Sequence, residues 1–181
     1  MDKRSLTIKS SEIKYQNPWI TVREDKVVHT NGKPGIFGVV NYGTGVSVLP
    51  IDDDNNVYLV KEYKYALQDW SLEVAAGAVE LNEDVETAAK RELSEELGIT
   101  ADKWIYMGSV HPFTTIIEHT QHQFIARGLH FHKAANEDTE QIELVKIPII
   151  EAYRLIESGK IVNAPAIALI LRAILKIEEE Q

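Results

Sequence analysis

The pattern of apolar and polar residues predicts β-strands over most of the first 65 positions. Residues 19–23 alternate between apolar and polar side chains, and residues 26–29 extend the pattern, as expected of half-buried strands. Asn31-Gly32 predicts a tight type I′ turn, in which both central residues need positive φ. Because the chain then returns through residues 35–40, we expect an antiparallel hairpin near the N-terminus.

A second hairpin is predicted from two apolar segments, residues 46–49 and 57–60, which flank an acidic turn at residues 52–56. Further strands are expected at residues 105–110, 122–126 and 144–147. A glycine-rich stretch near position 44 separates the first hairpin from the rest and marks a soft boundary. We therefore expect a small β extension at residues 1–43 and the main domain at residues 44–181.

Helical signals appear in three segments. The first helix is predicted from about Glu83 to Leu97, with Asn82 as its N-cap and Gly98 as the residue that ends it. The other two helices are expected at residues 149–158 and from an Asn163 cap to about residue 177. Strands and helices in this order predict an α/β fold.

The amino-acid composition limits the classes of partner that the protein is expected to bind. The 181 residues are 44% hydrophobic and 26% charged, which suits one globular domain with at most a small extension. Lys plus Arg number 19 and Asp plus Glu number 28, which gives a net charge of −9. Because binders of nucleic acid or of anionic membranes need a basic face, we expect no nucleic-acid partner and no membrane partner.

The expected location is the cytoplasm. The chain contains no cysteine, which excludes disulfides, thiol catalysis and cysteine-ligated zinc and suits a reducing compartment. No apolar run has the pattern of a signal sequence or approaches the ~18 residues that a transmembrane helix needs.

Three glutamates share one side of the first predicted helix. Glu92, Glu95 and Glu96 are spaced by one, three and four positions, so their like charges repel. A hard divalent cation removes that repulsion, because Mg²⁺ prefers carboxylate, water and phosphate oxygens. A neighbouring stripe of apolar residues predicts that the helix buries its other side: Val85, Ala89, Leu93 and Leu97. Taken alone, the three glutamates fit a solvated acidic helix face equally well.

The wider spacing around this helix favours a metal site. Gly77, Glu83, Arg91-Glu92-Leu93, Glu95-Glu96 and Gly98-Ile99 are separated by five, seven, one and one residues. This arrangement resembles the Nudix box, GX5EX7REUXEEXGU with U apolar, and every fixed position is filled. The resemblance implies a Nudix-type α/β/α sandwich with a mixed sheet, here with a small N-terminal antiparallel β extension.

The Nudix resemblance also implies a reaction, the metal-assisted hydrolysis of a nucleoside diphosphate linked to another group. It makes Glu92 and Glu96 the main metal ligands, Glu95 a third ligand and the backbone carbonyl of Ala76 a further one. The expected metal is Mg²⁺, with Mn²⁺ as an alternative. Arg91 is expected to orient the site through a contact with Glu83.

Features outside the box resemble the ADP-ribose pyrophosphatase branch. Residues 70–77, WSLEVAAG, resemble its W-x-x-E-x-P-A-G run, with Ala75 in place of the usual proline. The resemblance assigns Glu73 and Lys64 to substrate binding, with Lys64 in place of the usual arginine. It also implies a homodimer in which Trp19 and Phe37 stack on the nucleobase. Ordinary strand packing is the alternative for these two aromatic residues.

The general base is expected on the loop that follows the box. Glu118, just before the predicted strand at residues 122–126, resembles the acidic residue that activates water in this branch, although a plain loop carboxylate fits nearly as well. The function implied is Mg²⁺-dependent hydrolysis of nucleoside diphosphate sugars, with ADP-ribose cleaved to AMP and ribose 5-phosphate. The alternatives are a GDP-sugar hydrolase, a nucleoside triphosphate pyrophosphohydrolase of the dGTP type, and a non-catalytic nucleotide-sensing domain.

Overall fold

The computed structural model describes residues 6–134 and 142–179. The chain forms two compact units. The first consists of Met1–Thr44 and His111–Thr120, and the second of Gly45–Val110 and Gln121–Gln181.

The first unit is an antiparallel β-meander. It contains β1 (Leu6–Gln16), β2 (Thr21–His29) and the first part of β3 (Pro34–Pro50). β2 lies between the other two strands and pairs antiparallel with both. The predicted hairpin is therefore present, whereas β1 had no distinct sequence prediction of its own.

The turn between β2 and β3 differs from the predicted type I′ turn. Gly32 has a φ of 80°, but Asn31 is not in the left-handed region. The Gly32 N–H donates to the His29 carbonyl and the His29 N–H donates to the Lys33 carbonyl, as in a three-residue loop that ends in a glycine bulge. The Asn31 side chain accepts a hydrogen bond from the Lys33 N–H at 3.1 Å, which stabilises this alternative.

The second unit contains strands in two sheets. Its strands are the end of β3, β4 (Asn56–Lys64), β5 (Asp69–Glu73), β6 (Ala75–Ala78), β7 (Ile99–Val110), the part of β8 (Ile117–Phe131) that follows Thr120, and β9 (Glu143–Pro148). β6 pairs antiparallel with β3, and β7 pairs antiparallel with β8. β3 and β8 run parallel, since the Gln121 side chain bonds the Val46 carbonyl and the Ile51 N–H bonds the Ala126 carbonyl. The first sheet is therefore mixed, while β5, β4 and β9 form an antiparallel sheet.

The prediction of a second hairpin is wrong. Residues 45–48 of β3 pair with β6, and β4 pairs with β5 and β9 instead of with β3. Only an isolated bridge between Ile51 and Val57 joins the two segments, so the acidic turn carries the chain from one sheet to the other. Both apolar segments are buried on both faces, so neither shows the alternation that would identify a hairpin partner.

Three helices complete the second unit: α1 (Val85–Leu97), α2 (Ile149–Glu157) and α3 (Ala164–Glu179). The N-cap of α1 is Asp84, whose side chain accepts bonds from two helix N–H groups, and not Asn82 as predicted. Two other predicted helix boundaries are confirmed. Gly98 adopts φ 61° and ends α1, and the Asn163 side chain accepts a bond from the Ala166 N–H at the start of α3.

The helices cover both faces of the strands. Even-numbered positions 46, 48, 58 and 60 pack in one core with the buried face of α1. Odd-numbered positions 49, 57 and 59 pack in a second core with α2 and α3. Since alternate strand residues point to opposite faces, the strands lie between α1 and the other two helices. The expected α/β/α sandwich is confirmed, and no helix within residues 6–134 and 142–179 is long and apolar enough to cross a bilayer.

Candidate active site

A close approach between β6 and α1 forms the centre of the candidate site. Gly77 lies in β6, and Glu92 lies in the middle of α1. A Cβ atom added at Gly77 would lie 2.0 Å from the Cδ atom and from Oε1 of Glu92. Only glycine therefore fits at this position while the Glu92 carboxylate keeps its place, because glycine lets another group approach the backbone closely.

Arg91 joins three acidic residues of the site. Its Nε and Nη2 atoms donate to the two carboxylate oxygens of Glu83, each at 3.0 Å. Its Nη1 atom donates to Glu92 at 2.7 Å and to Glu95 at 3.1 Å, and Nη2 also donates to the Ala78 carbonyl at 2.9 Å. The contact expected between Arg91 and Glu83 is thus present. A planar guanidinium suits this task, because its donors point in several fixed directions at once.

Glu96 is a half-buried carboxylate of the candidate site. Its Oε2 atom accepts a hydrogen bond from the Ala76 N–H at 3.1 Å. Burial raises the pKa of Glu96 to about 8 against the effect of this bond, and the nearby charge of Glu92 raises it further. Burial also raises the pKa of Glu92, although Arg91 opposes that shift. Negative charge is therefore costly at both residues without a cation close by.

Lys64 lies beside these carboxylates at the end of β4. Its ammonium group is paired with the Glu62 carboxylate. Burial alone would lower the pKa of Lys64, but the negative charges of Glu62, Glu73 and Glu96 outweigh burial, and the pKa is raised. Glu73 at the end of β5 is itself only 9% exposed. The structure therefore brings the two substrate-binding candidates of this unit, Lys64 and Glu73, into the same charged cluster as Glu96.

The donor chemistry of the site fits a hard divalent cation. Carboxylate oxygens and a backbone carbonyl are ligands that Mg²⁺ accepts, and a cation would offset the cost of charging Glu92 and Glu96. Over the described part of the chain, no three acidic or histidine side chains are already arranged to hold a metal ion. In this arrangement Arg91 donates to Glu92 and Glu95, and the Ala76 N–H donates to Glu96.

The remaining three candidates belong to the first unit. Trp19 follows β1 and is 76% exposed, so ordinary strand packing does not account for it. Phe37 lies in β3, is 40% exposed and has its ring 6.2 Å from the ring of His29. Glu118 lies at the start of β8 and not on the predicted loop, because the strand begins at Ile117. It accepts a hydrogen bond from Arg23 at 2.6 Å, and this bond lowers the pKa of Glu118.

Sequence reasoning missed two partners of the predicted residues. Glu62 pairs with Lys64, and the spacing of two along one strand was a usable signal, because such residues lie on the same face. Arg23 pairs with Glu118, which is 95 positions away and gives no local signal.

Comparisons with known proteins identify two domains. The NUDIX domain family matches residues 41–168. The nucleoside diphosphate sugar hydrolase N-terminal domain matches residues 7–40.

Individual relatives cover most of the chain. An ADP-ribose pyrophosphatase of Bacillus subtilis is 29% identical over 136 residues, which are 74% of each chain. A methanol dehydrogenase activator of Bacillus methanolicus is 25% identical over 163 residues, covering 89% of this chain and 88% of the relative. A crystal structure of an ADP compounds hydrolase superposes with a TM-score of 0.88 at 20% identity, covering 98% of this chain and 96% of that one. The fold is thus shared with a solved structure, and the chain belongs to the Nudix family.

Proposed function

We propose that the protein hydrolyses the pyrophosphate bond of nucleoside diphosphate sugars, and that ADP-ribose is its main substrate. The products are AMP and ribose 5-phosphate. The observation that carries this proposal is the packing of the Glu92 carboxylate against Gly77, with the half-buried Glu96 nearby. A helix with no ligand gains nothing from holding two half-buried carboxylates close together. The names of relatives that are ADP-ribose pyrophosphatases support the choice of substrate.

Glu92 and Glu96 would hold the metal, with Glu95 and the Ala76 carbonyl as further ligands. Mg²⁺ is the proposed metal and Mn²⁺ is the alternative. When bound, such an ion neutralises the charge of a diphosphate and makes water more acidic. Arg91 keeps the carboxylates in place through the bonds that it donates to Glu92 and Glu95.

Other residues bind the substrate and accept the proton. Lys64 and Glu73 are proposed to bind the polar part of the substrate. Trp19 and Phe37 stack on the nucleobase, and their exposed rings support that role. Glu118 is proposed to take the proton from the attacking water.

The proposed arrangement has two functional parts. Residues 1–43 form an extension for dimerisation and nucleobase binding, and residues 44–181 form the hydrolase domain of a homodimer. The match of residues 7–40 to the nucleoside diphosphate sugar hydrolase N-terminal domain supports this division. The absence of cysteine supports a cytoplasmic location.

A substrate panel tests the proposal. The purified protein is incubated with Mg²⁺ and ADP-ribose, GDP-mannose, UDP-glucose or dGTP, and products are identified by ³¹P NMR, with EDTA as the control. We expect the highest kcat/KM for ADP-ribose and no turnover in EDTA. Preference for GDP-mannose would assign a GDP-sugar hydrolase, and preference for dGTP would assign a nucleoside triphosphate pyrophosphohydrolase. Tight binding of ADP-ribose without turnover in Mg²⁺ or Mn²⁺ would assign a nucleotide sensor.

A further inference from the structure

Arg23 connects two carboxylates of the first unit. Its Nη1 atom donates to Glu118 at 2.6 Å, and its Nε atom donates to Asp25 at 3.2 Å. Arg23 and Asp25 are two positions apart on β2, so their side chains share one face of the strand. One guanidinium therefore spans from the central strand of the meander to the segment that carries Glu118.

Asp25 is a fixed anchor for the guanidinium of Arg23. It is only 4% exposed. Ser11 stands directly opposite on β1, and its Oγ atom donates to Asp25 at 2.5 Å. A buried carboxylate needs such partners, because an unpaired charge in that position is costly. Asp25 therefore holds Arg23 from one side and leaves its Nη1 atom directed at Glu118.

The Glu118 carboxylate is held by residues from other strands. The Asn41 amide also donates to it, and Asn41 lies on β3. The polypeptide next to Glu118 is attached to β3 by the bond from the Val40 N–H to the Ile116 carbonyl at 2.8 Å. The carboxylate thus has two side-chain donors, Arg23 and Asn41, on two different strands.

We propose that Arg23 is a positioning residue for Glu118 and that Asp25 fixes Arg23 for that task. This inference rests on the proposed function, in which Glu118 accepts the proton of the attacking water. Arg23 acts through Glu118 and needs no contact with the substrate. Lysine cannot replace it fully, because all its donors sit on one nitrogen, whereas Nε and Nη1 of arginine are separate atoms held in one plane.

The charges around Glu118 predict the effect on pH dependence. Arg23 lowers the pKa of Glu118, the Asn41 bond lowers it further, and the charge of Asp25 opposes the shift. A base with a lowered pKa stays ionised in mildly acidic solution. Removing Arg23 therefore moves the acidic limb of the pH profile of kcat to higher pH, toward the ordinary pKa of a glutamate near 4.3.

The test compares Arg23→Gln, Arg23→Lys, Glu118→Gln and the double variant Arg23→Gln/Glu118→Gln with the full-length wild type. Arg154→Gln is the matched control, because Arg154 is an exposed arginine on α2 that pairs with Glu151. Values of kcat and KM for ADP-ribose are measured across pH at saturating Mg²⁺, and circular dichroism verifies folding.

We expect Glu118→Gln to lower kcat by about 10²-fold and Arg23→Gln by about 10-fold, each with a small change in KM. The double variant should match Glu118→Gln within about twofold, because Arg23 then has nothing left to position. Arg23→Lys should recover part of kcat, and Arg154→Gln should leave kcat unchanged.

Two results separate the possible failures. If the wild type hydrolyses no member of the substrate panel, the proposed function fails and the role of Arg23 fails with it. If the wild type is active, the inference alone is overturned by either of two outcomes. One is an Arg23→Gln variant with the kcat and pH profile of the wild type, and the other is a double variant whose losses multiply.

Discussion

Gly77 and Glu92 approach so closely that an added Cβ at Gly77 would lie 2.0 Å from the Glu92 carboxylate. The glycine thus leaves room for the carboxylate of one of the two main candidate metal ligands. This relationship links the sequence spacing of the Nudix box to the geometry of the site, since β6 supplies the glycine and α1 supplies the glutamate.

Gly77→Ala should lower kcat/KM by about 10²-fold and raise the Mg²⁺ concentration needed for activity. The new methyl group would push the Glu92 carboxylate out of place. Gly38→Ala is the control, because a Cβ there meets nothing within 4 Å and φ is not left-handed. The measurement is kcat/KM as a function of Mg²⁺ concentration. A Gly77→Ala variant with the Mg²⁺ dependence of the wild type would show that this contact does not matter.

Arg91→Lys should reduce activity by about 10–100-fold, with a higher Mg²⁺ requirement, because lysine cannot bond Glu83, Glu92 and Glu95 together. The neighbouring Lys90→Gln is the control, since Lys90 forms an exposed helical pair with Glu86 and a contact over a tryptophan ring. Steady-state kinetics across Mg²⁺ concentrations measures the effect. Equal activity of the two variants would show that Arg91 does not support the candidate metal site.

Trp19→Ala should raise KM for ADP-ribose by about 10-fold with little change in kcat. Stacking on a base contributes ~1–3 kcal/mol of binding free energy, and it is already present when the substrate is bound in its ground state. Tyr65→Ala is the control, because Tyr65 is another strongly exposed aromatic residue, at the tip of the β4–β5 hairpin. Initial rates over a range of substrate concentrations measure both parameters. An unchanged KM would mean that Trp19 does not bind the nucleobase.

Asp52→Asn should destabilise the fold by about 1–2 kcal/mol at pH 7 and by less at pH 3. Burial would raise the pKa of Asp52, but bonds from Lys146, Asn56 and Tyr58 outweigh it, and the pKa is lowered. Because the folded protein favours the ionised form, this stabilisation is present above the ordinary value of 3.8 and is lost as pH falls. Urea unfolding at both pH values measures it.

The exposed Asp54, in the same turn, provides the control substitution Asp54→Asn for this experiment. If the free energy of unfolding of Asp52→Asn differs from that of the wild type by the same amount at pH 7 and at pH 3, the lowered pKa of Asp52 is contradicted.

The sequence predicted the α1 region well because its signals are local. The box spacing placed Gly77, Glu83 and Arg91 in one site, and the structure shows the Arg91–Glu83 contact. The predicted N-cap of α1 was wrong by two positions. Asn82 and Asp84 are both good capping residues, and Asn82 instead adopts φ 67° while Asp84 caps the helix. With Asp84 as the N-cap, Glu83 contacts Arg91, and capping preferences alone do not predict that contact.

Strand pairing and long-range partners were harder to predict. Residues 46–49 and 57–60 are apolar on both faces, so the sequence could not show that they pair with different strands. The Arg23–Glu118 contact joins positions 95 residues apart, and only the folded meander brings them together. Local pattern therefore predicted the acidic helix, whereas the surroundings of Glu118 required the structure.

Half-buried carboxylates on α1 are proposed to hold the metal that hydrolysis of ADP-ribose requires. The most direct measurement compares Glu96→Gln with Glu86→Gln, the same substitution at an exposed position of the same helix. Turnover of ADP-ribose at saturating Mg²⁺ and binding of Mn²⁺ by electron paramagnetic resonance are measured for both variants. The account predicts that Glu96→Gln stays folded, binds Mn²⁺ more weakly and loses at least ~10²-fold in kcat, while Glu86→Gln behaves as the wild type. Wild-type turnover and Mn²⁺ binding in Glu96→Gln would contradict it.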